Sequence, residues 1–240
     1  MEREIARRPE RRWWAGRFVA LGAPALVVLI VLASGACRRD PVLESLTHGA
    51  LRARMAAAAR LARDPQVANP RAIDLLSTAL TRELADPTRE PKPEGAWFTA
   101  PELAAWGFVS ALATRGSDDP ADLRAASEAA HGELRSWLLL ARGRAGETAV
   151  GPDLVPLLAS PSPAIRAEAA TLVGQLGERS AVPGLRRLLG DPFEAPQAVG
   201  KGRRYPVRQV AAEALRSLGV HVRPTAEPGG FEVVPRPGTR

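Results

Sequence analysis

The chain is nearly devoid of the residues that build disulfides and metal sites. It holds one cysteine, so no intrachain disulfide and no cysteine-based zinc site can form. Its three histidines, His48, His131 and His221, lie far apart in sequence, and none stands in H-E-x-x-H or a similar metal spacing. His131 falls on or beside an apolar helix face, which makes it a packed core histidine in this reading. Aromatic residues are 5% of the sequence, and β-branched residues are few beside Ala, Leu and Arg, so an all-α protein is expected. Positive charge is in only modest excess. Of a net +7, the first 17 residues supply +3, from six Arg against three Glu. No basic stripe with stacking aromatics stands out, so the arginines read as a solvated surface rather than a nucleic-acid footprint.

A long uncharged run does occur, once. Residues 18–37, FVALGAPALVVLIVLASGAC, carry no charge and are enough to cross a bilayer. The Arg-rich stretch before them keeps the N-terminus cytoplasmic and exports the rest, and Trp13 and Trp14 suit the membrane–water interface. Two readings stay open, an uncleaved single-pass anchor and a bacterial lipoprotein signal. Ser34-Gly35-Ala36-Cys37 resembles a lipobox, which would make Cys37 the lipidated first residue. The only cysteine ends the apolar run behind small residues, as that cleavage requires; Ser34 replaces the usual Leu, and the run is long for a signal peptide. Either way the protein is tethered.

The densest pattern lies at 151–219, where one helical unit is written twice. Pro152, Leu154, Leu157, Leu158 and Pro161 stand 31 positions before Pro183, Leu185, Leu188, Leu189 and Pro192. Ile165, Arg166, Ala169, Ala170, Leu172, Val173, Leu176 and Gly177 stand 42 before Val207, Arg208, Ala211, Ala212, Ala214, Leu215, Leu218 and Gly219. The difference is an 11-residue insertion between the two helices of the second unit. Positions 165, 169, 172, 173 and 176 make one apolar stripe at helical spacing, repeated at 207, 211, 214, 215 and 218. Asp153 is expected as an N-cap with Pro156 in the first turn. Gly177 and Gly219 are expected to end the second helices.

These residues resemble HEAT repeats, in the short form first noted in phycobilisome lyases. The family pattern is roughly A-V-P-x-L-x-x-L-L-x-D-P followed by V-R-x-x-A-A-x-A-L-x-x-L-G. Residues 181–192 and 207–219 follow it closely, and 154–177 less so. The resemblance implies an α-α superhelix that binds protein, and a ladder in which an Asp from the inter-helix turn meets an Arg opening the second helix. Asp191, Arg166 and Arg208 occupy those positions, while Ser160 replaces the Asp of the first unit.

The remaining chain divides into an anchor at 1–37, a helical pair and Pro-rich linker at 38–96, a degenerate repeat at 97–150, and a Pro/Gly-rich tail at 221–240 after the two repeats of 151–220. One helix is expected over 42–63 and a second from Asn69-Pro70, with Asn69 as cap; DPTREPKPEG at 86–95 reads as linker or loop. Thr99 and Glu102 form a capping box opening a helix to about residue 114. Asp119-Pro120 opens the next, with Leu123, Ala130, Leu134, Trp137, Leu138 and Ala141 inward. Leu123-Arg124, Gly132 and Leu134 fall 42 residues before Ile165-Arg166, Gly174 and Leu176, which suggests a third, degenerate repeat, with an unrelated helical cap as the alternative. Trp97, Trp106 and Trp137 read as core anchors. The tail is expected to be disordered, or to pair 231–234 as a short strand or lay it in a groove.

No catalytic constellation stands out. Asp118-Asp119 reads as helix capping, and APQAVGK at 195–201 fails as a phosphate loop because Gly202 stands where Ser or Thr would hold magnesium. The insertion, roughly 193–205, carries Lys201, Arg203 and Arg204 among glycines. Insertions in solenoids emerge on one edge, often the binding edge, so the three cations read either as a site for an acidic protein or anionic headgroups or as a solvated basic loop. The sequence therefore points to a non-enzymatic, membrane-tethered, monomeric repeat protein of the bacterial cell envelope, with no cofactor, metal or nucleic acid and an unidentified protein partner. An enzyme accessory akin to the bilin lyases and a nucleic-acid-binding repeat protein are the alternatives.

Overall fold

The computed structural model describes residues 41–85, 99–195 and 204–235. Cys37 with its apolar run, the 86–95 stretch and Trp97 lie outside them. Ten α-helices occur among the described residues, with one short hairpin at the C-terminal end. Among the described residues no helix is long and apolar enough to cross a membrane. One apolar core extends from Leu46 to Val222 without a break.

The first expected helix is two, α1 (Pro41–His48) and α2 (Leu51–Arg63). Ala50 is extended at ψ 157°, and Gly49 lies so close to the Ser45 carbonyl that an added Cβ would stand 2.7 Å from it. α3 (Asn69–Ala85) begins one residue earlier than the cap reading allows. The Asn69 side chain is not a cap; its amide donates to Asp122 Oδ2 at 3.3 Å, tying α3 to the first turn of α5.

α4 (Ala100–Asp118) is the axis of the N-terminal half and packs on α2, α3, α5 (Pro120–Ala129) and α6 (Gly132–Arg144). Its capping box is formed as expected. The Thr99 N–H donates to Glu102 Oε2 at 2.9 Å, and the Glu102 N–H donates back to the Thr99 hydroxyl at 3.4 Å. The helix runs four residues past the expected end, which brings Arg115 over the α2–α3 turn. There its guanidinium donates to the carbonyls of Leu61 and Asp64, both at 2.6 Å, closing the open end of α2. Thr99→Ala is expected to lower stability by about 1 kcal/mol, as read by urea unfolding; no change would mean the cap is dispensable.

The helix expected from Pro120 onward also breaks in two. Ala130 and His131 are extended (ψ 155° and 164°), and Gly132 follows at φ +59°. His131 is consequently exposed at the mouth of α6, not packed in the core. Trp137 is the core anchor it was expected to be, fully buried, whereas Trp106 is half-buried.

The next layer starts with a 3-10 turn (Thr148–Val150), α7 (Gly151–Leu154) and a second 3-10 stretch (Val155–Ala159). Asp153 lies inside α7 rather than capping it. Pro156 has no N–H and crowds the carbonyl one turn back, so the α-helical ladder gives way to 3-10 geometry there. α8 (Pro163–Gln175) follows, capped by the Ser162 hydroxyl, which accepts from the Ile165 N–H at 3.4 Å. A 3-10 turn (Arg179–Ala181), α9 (Val182–Leu188) and α10 (Pro206–Ser217) complete the stack. Ile165, Ala169, Leu172 and Val173 are buried, as are Val207, Ala211, Ala214 and Leu215. Both stripes are core.

The tail forms the strand of the second reading. β1 (Val222–Pro224) pairs antiparallel with β2 (Phe231–Val233). The hairpin lies on the end of α10, where Arg216 donates to the Val222 carbonyl at 3.2 Å and its guanidinium stands 5.8 Å from the Phe231 ring. It covers apolar surface that a terminal repeat would otherwise leave open. At its turn, Gly229 (φ +68°) lies against the Tyr205 ring, and a Cβ there would run into it. Gly229→Ala is expected to cost about 1–2 kcal/mol and to raise amide exchange in β1 and β2 first; protection unchanged there would contradict the packing.

Candidate functional site: the inter-helix joints and the base of the basic loop

Three helix ends close alike. Gly146, Gly177 and Gly219 hold φ of +87°, +72° and +81°, and the following N–H groups of Glu147, Glu178 and Val220 return to the carbonyls of Arg142, Val173 and Leu215 at 3.1, 2.9 and 2.9 Å. Each is the six-to-one closure that a left-handed glycine permits. The first two lie 31 residues apart, which fixes the register of the upstream unit. α6 and α8 are both 13 residues long and start 31 apart. Gly143, not Gly132, is therefore the counterpart of Gly174. A Cβ on Gly143 would meet Leu172 Cδ1 at 3.0 Å, and one on Gly174 would meet Ala214 Cα and Cβ at 2.9 Å. Gly132 faces open space. The expected 42-residue offset is corrected to 31, because only the second unit carries the insertion.

Asp191, Arg166 and Arg208, the residues of the implied ladder, lie together. Asp191, buried in the turn after α9, accepts from Arg166 Nε at 2.7 Å and Nη2 at 3.0 Å. Its Oδ1 also takes the Phe193 N–H at 3.0 Å, and its carbonyl takes Arg208 Nε at 2.6 Å. One aspartate thus joins α8, α9 and the start of α10. The rung at Ser160 uses main chain instead of a carboxylate, with Arg166 Nη1 donating to the carbonyls of Ser160 and Pro161 at 2.8 and 2.9 Å.

The structure adds a joint that the sequence reading missed. Glu147 accepts from Arg142 Nε at 2.8 Å and Nη2 at 2.9 Å, and from Arg124 Nη2 at 2.7 Å. Arg142 also donates to the Ser127 hydroxyl at 3.0 Å, so α5, α6 and the start of the next layer meet at one carboxylate. The hydrogen bonds from Arg142, opposed by burial and aided by Arg124, lower the Glu147 pKa from 4.5 to about 2. The same pair raises the Arg142 pKa through its hydrogen bond to Glu147. The available signal was Gly146-Glu147-Thr148-Ala149-Val150, which stands 31 before Gly177-Glu178-Arg179-Ser180-Ala181.

Of the three cations expected to bind a partner, Arg204 is described and exposed, while Lys201 and Arg203 lie outside the described residues, as does most of the 195–201 stretch. The loop base is fixed on both sides. The Ala195 N–H donates to the Arg204 carbonyl at 2.9 Å in an isolated antiparallel bridge. Tyr205 donates to Glu194 Oε2 at 3.4 Å and stacks under the Arg208 guanidinium, 4.0 Å from the ring centre.

Two hollows accompany these joints. One of about 290 Å³ is lined by Arg124, Arg142, Glu147 and Thr148, whose charges are spent on one another; the other, about 180 Å³, lies between α8 and α10 beside Thr171, Gln175 and Glu213. Among the described residues no group of three or more His, Cys, Asp and Glu could hold a metal ion.

Residues 120–216 match the family of HEAT repeats, from the first residue of α5 almost to the end of α10. Over that stretch the chain is a helical-repeat protein, in which the α5–α6 pair stacks as a third unit before the two clear ones. No curated protein matches the chain.

Proposed function

We propose that the chain is a non-enzymatic, membrane-tethered repeat protein of the bacterial cell envelope whose stacked helices hold another protein. The observation that carries this reading is the fixed base of the 193–205 insertion. Asp191, Arg208, Tyr205 and the Ala195–Arg204 bridge anchor both ends of a loop that carries Lys201, Arg203 and Arg204. A rigid base under a cationic loop suits an acidic protein surface. The tether comes from the sequence, through the uncharged run at 18–37 and Cys37. The bilin-lyase-like alternative gains no support from the larger hollow, since its only acid, Glu147, is held ionised between two arginines and is a poor proton donor or acceptor at neutral pH.

The test is capture from envelope extracts with Lys201, Arg203 and Arg204 all changed to Glu, beside a Cys37→Ala variant. The triple variant is expected to lose at least about tenfold in captured partner, and Cys37→Ala to lose lipidation. Capture of the same partners by the triple variant would remove the loop from the account.

A further inference from the structure

We infer that the exposed face of α2 is a docking surface for anionic phospholipid. α2 contains four arginines and no acidic residue. Arg54 turns inward, where Nε lies 2.7 Å from Glu83 Oε1 and Nη1 donates to the Gly49 carbonyl at 2.6 Å. The other three, Arg52, Arg60 and Arg63, are exposed together with Ala53, Ala56 and Ala59. At about 100° per residue these six fall within an arc of about 120°. The opposite side, with Ala57, Ala58, Leu61 and Ala62, is buried. Among the described residues, none of the three outward guanidiniums has a hydrogen-bond or ion-pair partner, in contrast to Arg54, Arg115, Arg142 and Arg166.

The arc suits a flat anionic surface more than a protein groove. Its three cations are spaced along the helix, and the alanines between them hold nothing off. It offers no large apolar anchor of the kind that dominates protein interfaces. Chain length places it near a bilayer. Fourteen residues separate Cys37 from Arg52, eight of them in α1. The start of α2 can therefore stand no more than about 35 Å from an anchor point at Cys37. Arginines beside an anchored segment bind anionic headgroups at roughly fivefold in affinity each, so three give about a hundredfold. The geometry rests on the proposed tether, but the binding does not.

The chain's single cysteine makes the test direct. In the full chain, Cys37→Ser with Ala56→Cys places one environment-sensitive dye in the middle of the arc. The labelled protein is put into phosphatidylcholine discs and into discs that also contain phosphatidylglycerol. The dye is expected to shift to the blue and to be quenched by a headgroup quencher only in the anionic discs. High salt, or Arg52→Gln, Arg60→Gln and Arg63→Gln together, should return it to the neutral-disc value. Equal emission in both discs, or a shift that survives the triple substitution, overturns the inference, as would capture of an acidic protein at the dye without a lipid response. Because Cys37→Ser removes the lipidation site, failure to enter either disc refutes only the uncleaved single-pass anchor. Cosedimentation with phosphatidylglycerol vesicles then decides, with an affinity about a hundredfold weaker in the triple variant expected and an unchanged one contradicting the assignment.

Discussion

Asp191→Ala is expected to destabilise the protein by about 3–4 kcal/mol, the cost of breaking a buried ion pair and leaving its partner. The Asp191 side chain is 4% exposed and that of Arg166 13%, so little water can replace the lost contacts. Arg166 would keep the Ser160 and Pro161 carbonyls, and Arg208 would keep the residue 191 carbonyl, because all three bonds are to main chain. What disappears is the two-pronged grip on Arg166 and the acceptor for the Phe193 N–H. The loss should therefore spread to the insertion, with amide exchange rising around Phe193 before it rises in α6. An unfolding free energy from urea titration within about 0.5 kcal/mol of the parent would show that the ladder is ornamental to stability.

Glu147→Gln should cost about 2 kcal/mol at pH 6 and also change how stability depends on pH. The substitution leaves Arg142, 9% exposed in its side chain, without its carboxylate. The folded-state pKa of Glu147 is depressed from 4.5 to about 2. Its contribution is therefore complete above about pH 4.5 and is lost as pH falls through that value toward 2. The contribution is on the order of 2 kcal/mol, discounted for the half-exposed Arg124 on the outer side. Parent and variant stabilities should differ at pH 6 and converge near pH 2. Parallel curves across that range would mean that the carboxylate is not held by its two arginines.

What was legible in the sequence is what repeats with a period. The stripes of α8 and α10 and their closing glycines follow from residues spaced as helix faces and turns dictate, while the Asp191–Arg166 pair stands where the resemblance to HEAT repeats implies a ladder. The breaks were less legible because their causes are local. Gly49 and the 130–132 turn interrupt patterns whose apolar spacing runs on through them, so periodicity alone joins α1 to α2 and α5 to α6. Pro156 sits at a position compatible with a first turn, and only its crowding of the preceding turn converts the segment to 3-10 geometry. The Glu147 joint was missed through register. Carrying the 42-residue offset upstream matched Gly132 to Gly174, although the insertion belongs to the second unit alone. An offset of 31 would have aligned Gly146-Glu147 with Gly177-Glu178. It would also have exposed Arg142 at the position where Val173 fills the next unit, a buried cation that demands an acid. The hairpin was readable only as an alternative, since a Pro/Gly-rich composition favours disorder until Phe231 finds α10 to lie against.

Residues 120–217 form three stacked helix pairs in this register, with second helices touching at glycine. The most direct measurement is the nuclear Overhauser effect between the Gly174 α protons and the Ala214 methyl group in the labelled protein, beside that between Gly143 and the Leu172 methyls. Strong cross-peaks at both are the predicted result, since an added Cβ at either glycine would lie within 3.0 Å of its neighbour. Their absence, or a cross-peak from Gly132 in place of Gly143, would contradict the stack.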